Sequence, residues 1–353
     1  MQKALDGNKI PGAGIAVVRD GKVVLAKGYG SADVDAGVAA NENTAFQIAS
    51  VTKQFTAAGV MLLVEQGKIK LDDPLGKYLT DVPAKWSAVT IRQLLNHVSG
   101  IPNYTAGGKL VTDKVYTQAE IIDLVRNSPM AFEPGTKWEY SNTNYFLLGM
   151  VIEKVSGKPY ADYMRERVFK PLGMNSTVVN TTGLKLKNAA LGYASDKGKW
   201  QRSGTDPSQP FAAGAIVSTP VDMAKWTIAI GEGKLLKKTS WDEVFAPGKL
   251  ADGKPTNYGF GWDLGKLGEV SYIGHSGGIQ GFGSYHVRFP ADNLSVVVMA
   301  NSLGSATDIA NDIAALYLPK FAAALAAQAA AREAARHAAA IADPDPETTK
   351  FLR

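Results

Sequence analysis

The sequence predicts an α/β protein of the α+β type: an antiparallel sheet built from N- and C-terminal segments, flanked by helices, with a mainly helical subdomain inserted between them. Three observations carry this. β-rich runs stand at both ends of the chain, helix caps and 3.6-residue apolar periodicity fill the middle, and no β–α–β alternation links them. The expected organisation is one domain over residues 1–320, with the helical subdomain at roughly 70–215. An Ala-rich helical tail and Pro-Asp linker then cover 321–353 and could lead to a further domain. A cleft between the sheet part and the inserted helices is the expected site.

The N-terminal run 13–19, the pair Asp20-Gly21 and the run 22–27 read as a hairpin, because Asp-Gly accepts the positive φ of a tight turn. From Ser50 to Gly67, Phe55, Ala58, Met61, Leu62 and Val64 fit a buried helix that ends at a glycine. Asp72-Asp73-Pro74 reads as a turn, its aspartates serving as turn and cap residues. Thr90 with Gln93, and Thr117 with Glu120, have capping-box spacing. Residues 142–156 repeat apolar positions at Phe146, Leu147, Met150, Val151 and Val155 before Gly157, and a further helix is expected from about 160 to 169. Thr219-Pro220 starts another. Runs at 258–264, 270–274, 282–289 and 294–300 read as antiparallel strands, and 306 to about 341 is helix-prone.

With 353 residues, 45% of them hydrophobic, the chain can bury a large core. Its 38 Lys+Arg against 33 Asp+Glu leave a net charge of +5 with no basic stripe, which argues against a nucleic-acid partner. No apolar run reaches membrane-spanning length, and residues 1–4 lead into globular sequence without a signal peptide. The absence of cysteine excludes disulfides and thiolate chemistry but leaves the compartment open. The expected location is the periplasm or the cell exterior, any signal peptide being already absent.

Three segments carry chemistry. Ser50-Val51-Thr52-Lys53 places a hydroxyl and an amine three residues apart, on one helix face, and Ser50 is the only serine followed at that spacing by lysine. A lysine held neutral can take the serine's proton, and a helix N-terminus favours developing negative charge. Read alone, the pair is also a plain helix start with a surface lysine. Tyr140-Ser141-Asn142 offers a phenol and an amide two residues apart, a spacing no other tyrosine repeats. A tyrosine near a lysine can be partly ionised and relay protons, and an asparagine can orient both lysine and substrate. The plain alternative is a helix N-cap at Asn142. Gly274-His275-Ser276-Gly277-Gly278 falls between two predicted strands, where the N–H groups of Gly278 and Ser50 could form an oxyanion hole. Its plain reading is a glycine-rich bulge.

Together these segments resemble the serine β-lactamase and penicillin-binding protein superfamily, in the branch holding class C β-lactamases, D-Ala-D-Ala carboxypeptidases, D-aminopeptidases and family VIII carboxylesterases. Ser50-Val51-Thr52-Lys53 matches its S-x-x-K, Tyr140-Ser141-Asn142 its Y-x-N, and His275-Ser276-Gly277 its third element. Flanking runs at 94–102, 132–135 and Gly173-Met174 are similar to the same branch, and the likeness spans roughly 10–318. The resemblance implies an acyl-enzyme mechanism. Ser50 attacks a carbonyl, Lys53 and Tyr140 share acid–base work, Asn142 orients Lys53 and substrate, and His275, Ser276, Gly277 and Gly278 contribute to substrate binding and the oxyanion hole. No cofactor and no metal is expected, because four scattered histidines and no H-E-x-x-H offer no ligand set. His97 is expected to hold a loop together.

Two other readings compete. Gly274-His275-Ser276-Gly277-Gly278 also fits the G-x-S-x-G elbow of α/β-hydrolases, with Ser276 as nucleophile, but the following run 282–289 reads as a strand where an elbow needs a helix. A catalytically silent peptidoglycan- or ligand-binding protein would keep the fold without the three intact motifs. Many relatives carry lysine where His275 stands, so an esterase with weak or no β-lactamase activity is expected, with a D-Ala-D-Ala carboxypeptidase, D-amino-acid peptidase or penicillin-binding protein as the alternative. The partner is a small-molecule ester, β-lactam or D-amino-acid peptide. Tyr104, Trp138 and Phe282 are candidate apolar walls of the cleft.

Overall fold

The computed structural model describes residues 5, 7 and 10–342, with side chains as far as 335. Seven strands form one sheet. β1 (Gly12–Arg19) turns through Asp20 (φ +51°) and Gly21 (φ +71°) into β2 (Lys22–Asp33), as the Asp-Gly pair demands, and the short β3 (Val38–Ala39) closes that edge. From the other end of the chain come β9 (Asp263–Leu267), β10 (Val270–Ile279), β11 (Phe282–Phe289) and β12 (Leu294–Ala300), giving the order β3-β2-β1-β12-β11-β10-β9. β1 pairs antiparallel with β12, with Ile15 opposite Val298, so the first and last strands of the chain meet at the centre.

Strand periodicity divides the core in two. On β12, Val296, Val298 and Ala300 face one cluster with Ile15 and Val17, while Val297 and Met299 face the other. The first cluster is covered by α9 (Ala306–Tyr317) and by Phe321 at the start of α10 (Pro319–Ala342), whose ring meets Phe289 at 4.9 Å. Burial on both faces explains why β12 reads as a continuous apolar run. The expected helix over 306–341 is two helices, broken at Leu318-Pro319 because proline cannot donate to the helix before it. Residues 343–353 of the expected linker lie outside the described residues.

The second face carries α1 (Thr52–Glu65), buried almost all round, and α7 (Pro220–Gly231), capped by Thr219 Oγ1 accepting from the Asp222 N–H. Between them in sequence come α2 (Ile91–Leu95) and α3 (Gln118–Asp123), both with complete capping boxes, then α4 (Asn142–Ser156), α5 (Tyr160–Met164) and the single turn α6 (Phe211–Gly214). Helix α5 runs on as a π-type turn, Arg165–Phe169. The inserted part also holds strands that the sequence reading did not anticipate: β5 (Val178–Val179) and β8 (Ile216–Ser218), joined with β4 (Phe46–Gln47), and the hairpin β6 (Tyr193–Asp196) and β7 (Lys199–Arg202). Runs of two to four residues are too short to establish an alternating pattern. α8 (Lys238–Val244) completes the helices on this side. No helix of the described residues is long and apolar enough to cross a membrane.

Candidate active site

Ser50 sits in a 3-10 turn, Ala49–Val51, that runs into α1. The turn is pinned from two sheets. Ile48 N–H donates to Ile216 O on β8 (3.0 Å), and Ile48 O accepts from Ser284 Oγ on β11 (2.7 Å). Ala49 is held at φ +45°, a conformation that costs a residue with a Cβ roughly 1–2 kcal/mol and persists only where its surroundings impose it.

Lys53, one helical turn on, is fully buried. Its Nζ lies 3.1 Å from Ser50 Oγ, 2.8 Å from Asn142 Oδ1 and 2.8 Å from the Ala213 carbonyl. Burial pushes its pKa well below the ordinary lysine value. The rings of Tyr140 and Tyr145, 4.8 and 5.6 Å away, favour the cation. That attraction is worth about 0.5–2 kcal/mol, less than the several kcal/mol of desolvating an ammonium, so burial wins. A neutral amine has two N–H donors and one lone pair. The two carbonyl oxygens can take both donors, which leaves the lone pair for the Ser50 hydroxyl.

Asn142 opens α4, but the N-cap is Ser141, so Asn142 is free to face Lys53, with its Nδ2 donating to Thr105 Oγ1 at 3.1 Å. Tyr140, in the preceding loop, has a buried hydroxyl with no hydrogen-bond partner among the described residues. Burial raises its pKa above the ordinary phenol value, against a smaller opposing pull from the nearby Ser50 hydroxyl. The phenol is thus protonated, not the partly ionised relay that the sequence suggested. His97 fixes this loop: its Nδ1 accepts from the Ser141 N–H (3.2 Å) and its carbonyl from the Glu139 N–H (3.0 Å).

The third segment corrects the sequence reading. Gly274 to Gly278 does not lie between strands; it is the second half of β10, which runs on to Ile279. Strand alternation then separates its side chains. Gly277 faces the Ser50 turn so closely that a Cβ there would stand 2.3 Å from Ser284 Oγ, 2.5 Å from Ile48 O and 3.0 Å from Ser50 N. Ser276, opposite Tyr285, points to the other face of the sheet. Its side chain therefore lies on the far side of the sheet from the Ser50 turn and Lys53. With a hairpin after it, the segment is no elbow. His275 is buried, with Nε2 2.9 Å from Tyr258 Oη, and burial pulls its pKa down to about 3. Its ring packs against those of Tyr258 and Tyr140, at 5.7 and 5.9 Å, and is not among the residues lining the cavity beside Ser50.

The cavity beside Ser50 has a volume of about 320 Å³. Gly278 and Ser50 both line it, as an oxyanion hole requires, along with Tyr104, Leu110, Gln209 and Ile279. Trp138 and Phe282 are not among its lining residues. Sequence reasoning missed Ala213, which acts through a backbone carbonyl and leaves no side-chain signature, and Gln209, whose Nε2 reaches Val111 O, Thr112 O and Lys114 O, each at 2.9 Å, and holds the loop forming the outer wall.

Residues 1–319 match the β-lactamase family. Penicillin-binding protein 4* of Bacillus subtilis is 30% identical over 305 residues, covering 81% of this chain and 67% of that one. Protein flp of Staphylococcus aureus is 30% identical over 313 residues, 84% of this chain and 61% of its own length. Among solved structures, the octameric penicillin-binding protein homologue from Pyrococcus abyssi superposes with a TM-score of 0.78 at 32% identity, covering 90% of this chain and 76% of that one. D-amino acid amidase from Ochrobactrum anthropi SV3, complexed with L-phenylalanine amide, gives 0.72 at 32% identity, with coverage of 85% and 88%. The chain belongs to the β-lactamase and penicillin-binding protein family of serine hydrolases, in its class C-like branch.

Proposed function

We propose that this chain is a carboxylesterase acting through an acyl-enzyme on uncharged esters, with little or no turnover of β-lactams. The observation that carries this is the cavity lining: none of its residues is charged, and the position where many relatives hold a lysine is the buried, neutral His275. A β-lactam or a D-Ala-D-Ala terminus brings a carboxylate that would find no cation there. In this reading Ser50 Oγ gives its proton to Lys53 Nζ and bonds to the ester carbonyl carbon, while the Ser50 and Gly278 N–H groups receive the oxyanion. The phenol of Tyr140 protonates the departing alkoxide and recovers its proton by way of Lys53. Water then attacks the acyl-Ser50 ester and releases the carboxylic acid.

A second reading is hydrolysis of D-amino-acid amides, favoured by the likeness to D-amino acid amidase. Such an amide lacks a carboxylate, but its ammonium group would meet no anion in the lining. A side-by-side panel of p-nitrophenyl esters, cephalosporins and D-phenylalanine amide on the purified protein decides between them. Ester kcat/KM is expected to exceed the other two. Cephalosporin or amide turnover faster than ester turnover overturns the assignment.

A further inference from the structure

On β11, Ser284, His286 and Arg288 alternate with apolar residues and face the helical layer. The fold absorbs the first two. Ser284 holds the turn before Ser50, and His286 has Nδ1 2.9 Å from Gln54 Oε1 on α1 and Nε2 3.0 Å from Thr227 Oγ1 on α7. Arg288 has no such use. Among the described residues it makes no salt bridge, and its Nε is buried without a hydrogen-bond partner. Burial draws its pKa down to about 10, with no carboxylate to oppose the shift. The face of Phe245 lies 5.6 Å from the guanidinium carbon.

Arg288 opens into a second cavity, of about 590 Å³, between β11, α7 and α8, separate from the one at Ser50. Three carboxylates stand around it, and each already has a cation: Asp242 with Lys238 (2.8 Å), Glu232 with Lys234 (2.7 Å) and Asp20 with Arg19 (3.8 Å). The lining thus sets three carboxylates, each in an exposed ion pair, against the two cations Lys238 and Arg288, and of these five only Arg288 has no salt bridge among the described residues. Thr227, Asn293 and Ser295 add polar groups to the lining, and Ile228 with Trp241 and Phe245, stacked at 5.5 Å, adds apolar ones. Arg288 is half-buried with its Nε unpartnered, and a planar fork of donors matches a carboxylate. The volume is far more than an inorganic anion fills.

We propose that this cavity binds a small organic monocarboxylate, its carboxylate on Arg288 and its apolar body against Trp241 and Phe245. The site is distinct from the catalytic cavity, and its occupancy is readable without turnover. The test uses benzoate as probe on the full chain, followed by residue-resolved NMR at fixed ionic strength, with inorganic phosphate as a second arm. Benzoate is expected to shift the signals of Arg288 and of residues 227–231. Arg288→Met is expected to weaken it at least tenfold, Arg288→Lys less, and phosphate is expected to leave those signals in place. No benzoate shift in the wild-type protein, or shifts confined to the surroundings of Ser50 and Tyr104, overturns the proposal. Equal affinity in Arg288→Met overturns it as well, and phosphate shifting the same signals as strongly as benzoate removes the organic carboxylate from it. The wild-type map decides even if Arg288→Met does not fold.

Discussion

Ser50 Oγ stands 3.1 Å from Lys53 Nζ and is the one hydrogen-bond partner of that amine able to give it a proton, since Asn142 Oδ1 and the Ala213 carbonyl can only accept. The arrangement works as a base only while Lys53 is neutral, the form that burial favours. Lys53→Met removes the base and is expected to lower kcat about 10²- to 10⁴-fold, with KM changed far less. Steady-state kinetics on a p-nitrophenyl ester check it, and near wild-type kcat would remove Lys53 from the proton path.

Asn142 sets how neutral that lysine is. Replacing it by aspartate puts a carboxylate in place of an amide oxygen 2.8 Å from Nζ and favours the ammonium form. The acid limb of kcat/KM is therefore expected to move to higher pH by about 1–3 units in Asn142→Asp. Asn142→Ala lacks the charge and should lower activity without a comparable shift. Identical pH profiles in wild type and Asn142→Asp would show that another group controls the limb.

Tyr140 has a buried hydroxyl near that of Ser50, its pKa raised by burial, with no hydrogen-bond partner among the described residues. Such a group is costly unless the reaction uses it, and donation to a departing alkoxide is a use. Tyr140→Phe keeps the ring over Lys53 and removes only the donor. Its loss of activity should depend on the leaving group: about 10²-fold or more for alkyl esters, and much less for p-nitrophenyl esters, whose phenolate leaves without help. Equal losses for both classes would exclude the general-acid role.

Much of this site was legible in the sequence because its donors are side chains at fixed spacings. Ser50, Lys53, Tyr140 and Asn142 come together as two short motifs can when one opens a helix and the other leads into one. What escaped was set by backbone and by strand phase. The Ala213 carbonyl has no residue signature, and the sides taken by His275 and Ser276 follow from β10 running on through the glycines, which composition had marked as a break. The fold was legible on the same terms. The Asp-Gly hairpin, both capping boxes and the two-faced apolar run of β12 announce themselves, whereas two-residue strands such as β4 and β5 exist only by pairing with β8.

Gly277 is where the sheet and the Ser50 turn come closest. A methyl group there would meet backbone atoms of Ile48 and Ser50, which cannot rotate away as a side chain can. Gly277→Ala is expected to displace the turn, with a fall in kcat of about 10-fold or more, of the order seen when reacting groups move by an ångström, and a stability loss of about 1–3 kcal/mol. Thermal denaturation and ester kinetics on the same preparation check both. A variant with unchanged kcat would mean that β10 does not position the nucleophile.

The buried histidines make the fold sensitive to acid. His97, His275 and His286 are held neutral by burial, their pKa values depressed below 6.5 and that of His275 to about 3. In the unfolded chain each takes up a proton near pH 6.5, so between there and the folded values the unfolded state binds more protons and stability falls as pH falls. Asp263 works in the opposite sense. Burial raises its carboxyl to about 6, so its ionisation costs stability as pH rises from 3.8 to that value. The three imidazoles together outweigh the one carboxyl below pH 6, so the expected sign is a loss of stability as pH falls. Urea denaturation at pH 7 and pH 5 should therefore show a marked drop in midpoint at the lower pH, and His286→Gln should flatten it by about one proton's share. Equal midpoints at the two pH values would mean that these imidazoles take up protons in the folded protein as readily as in the unfolded chain.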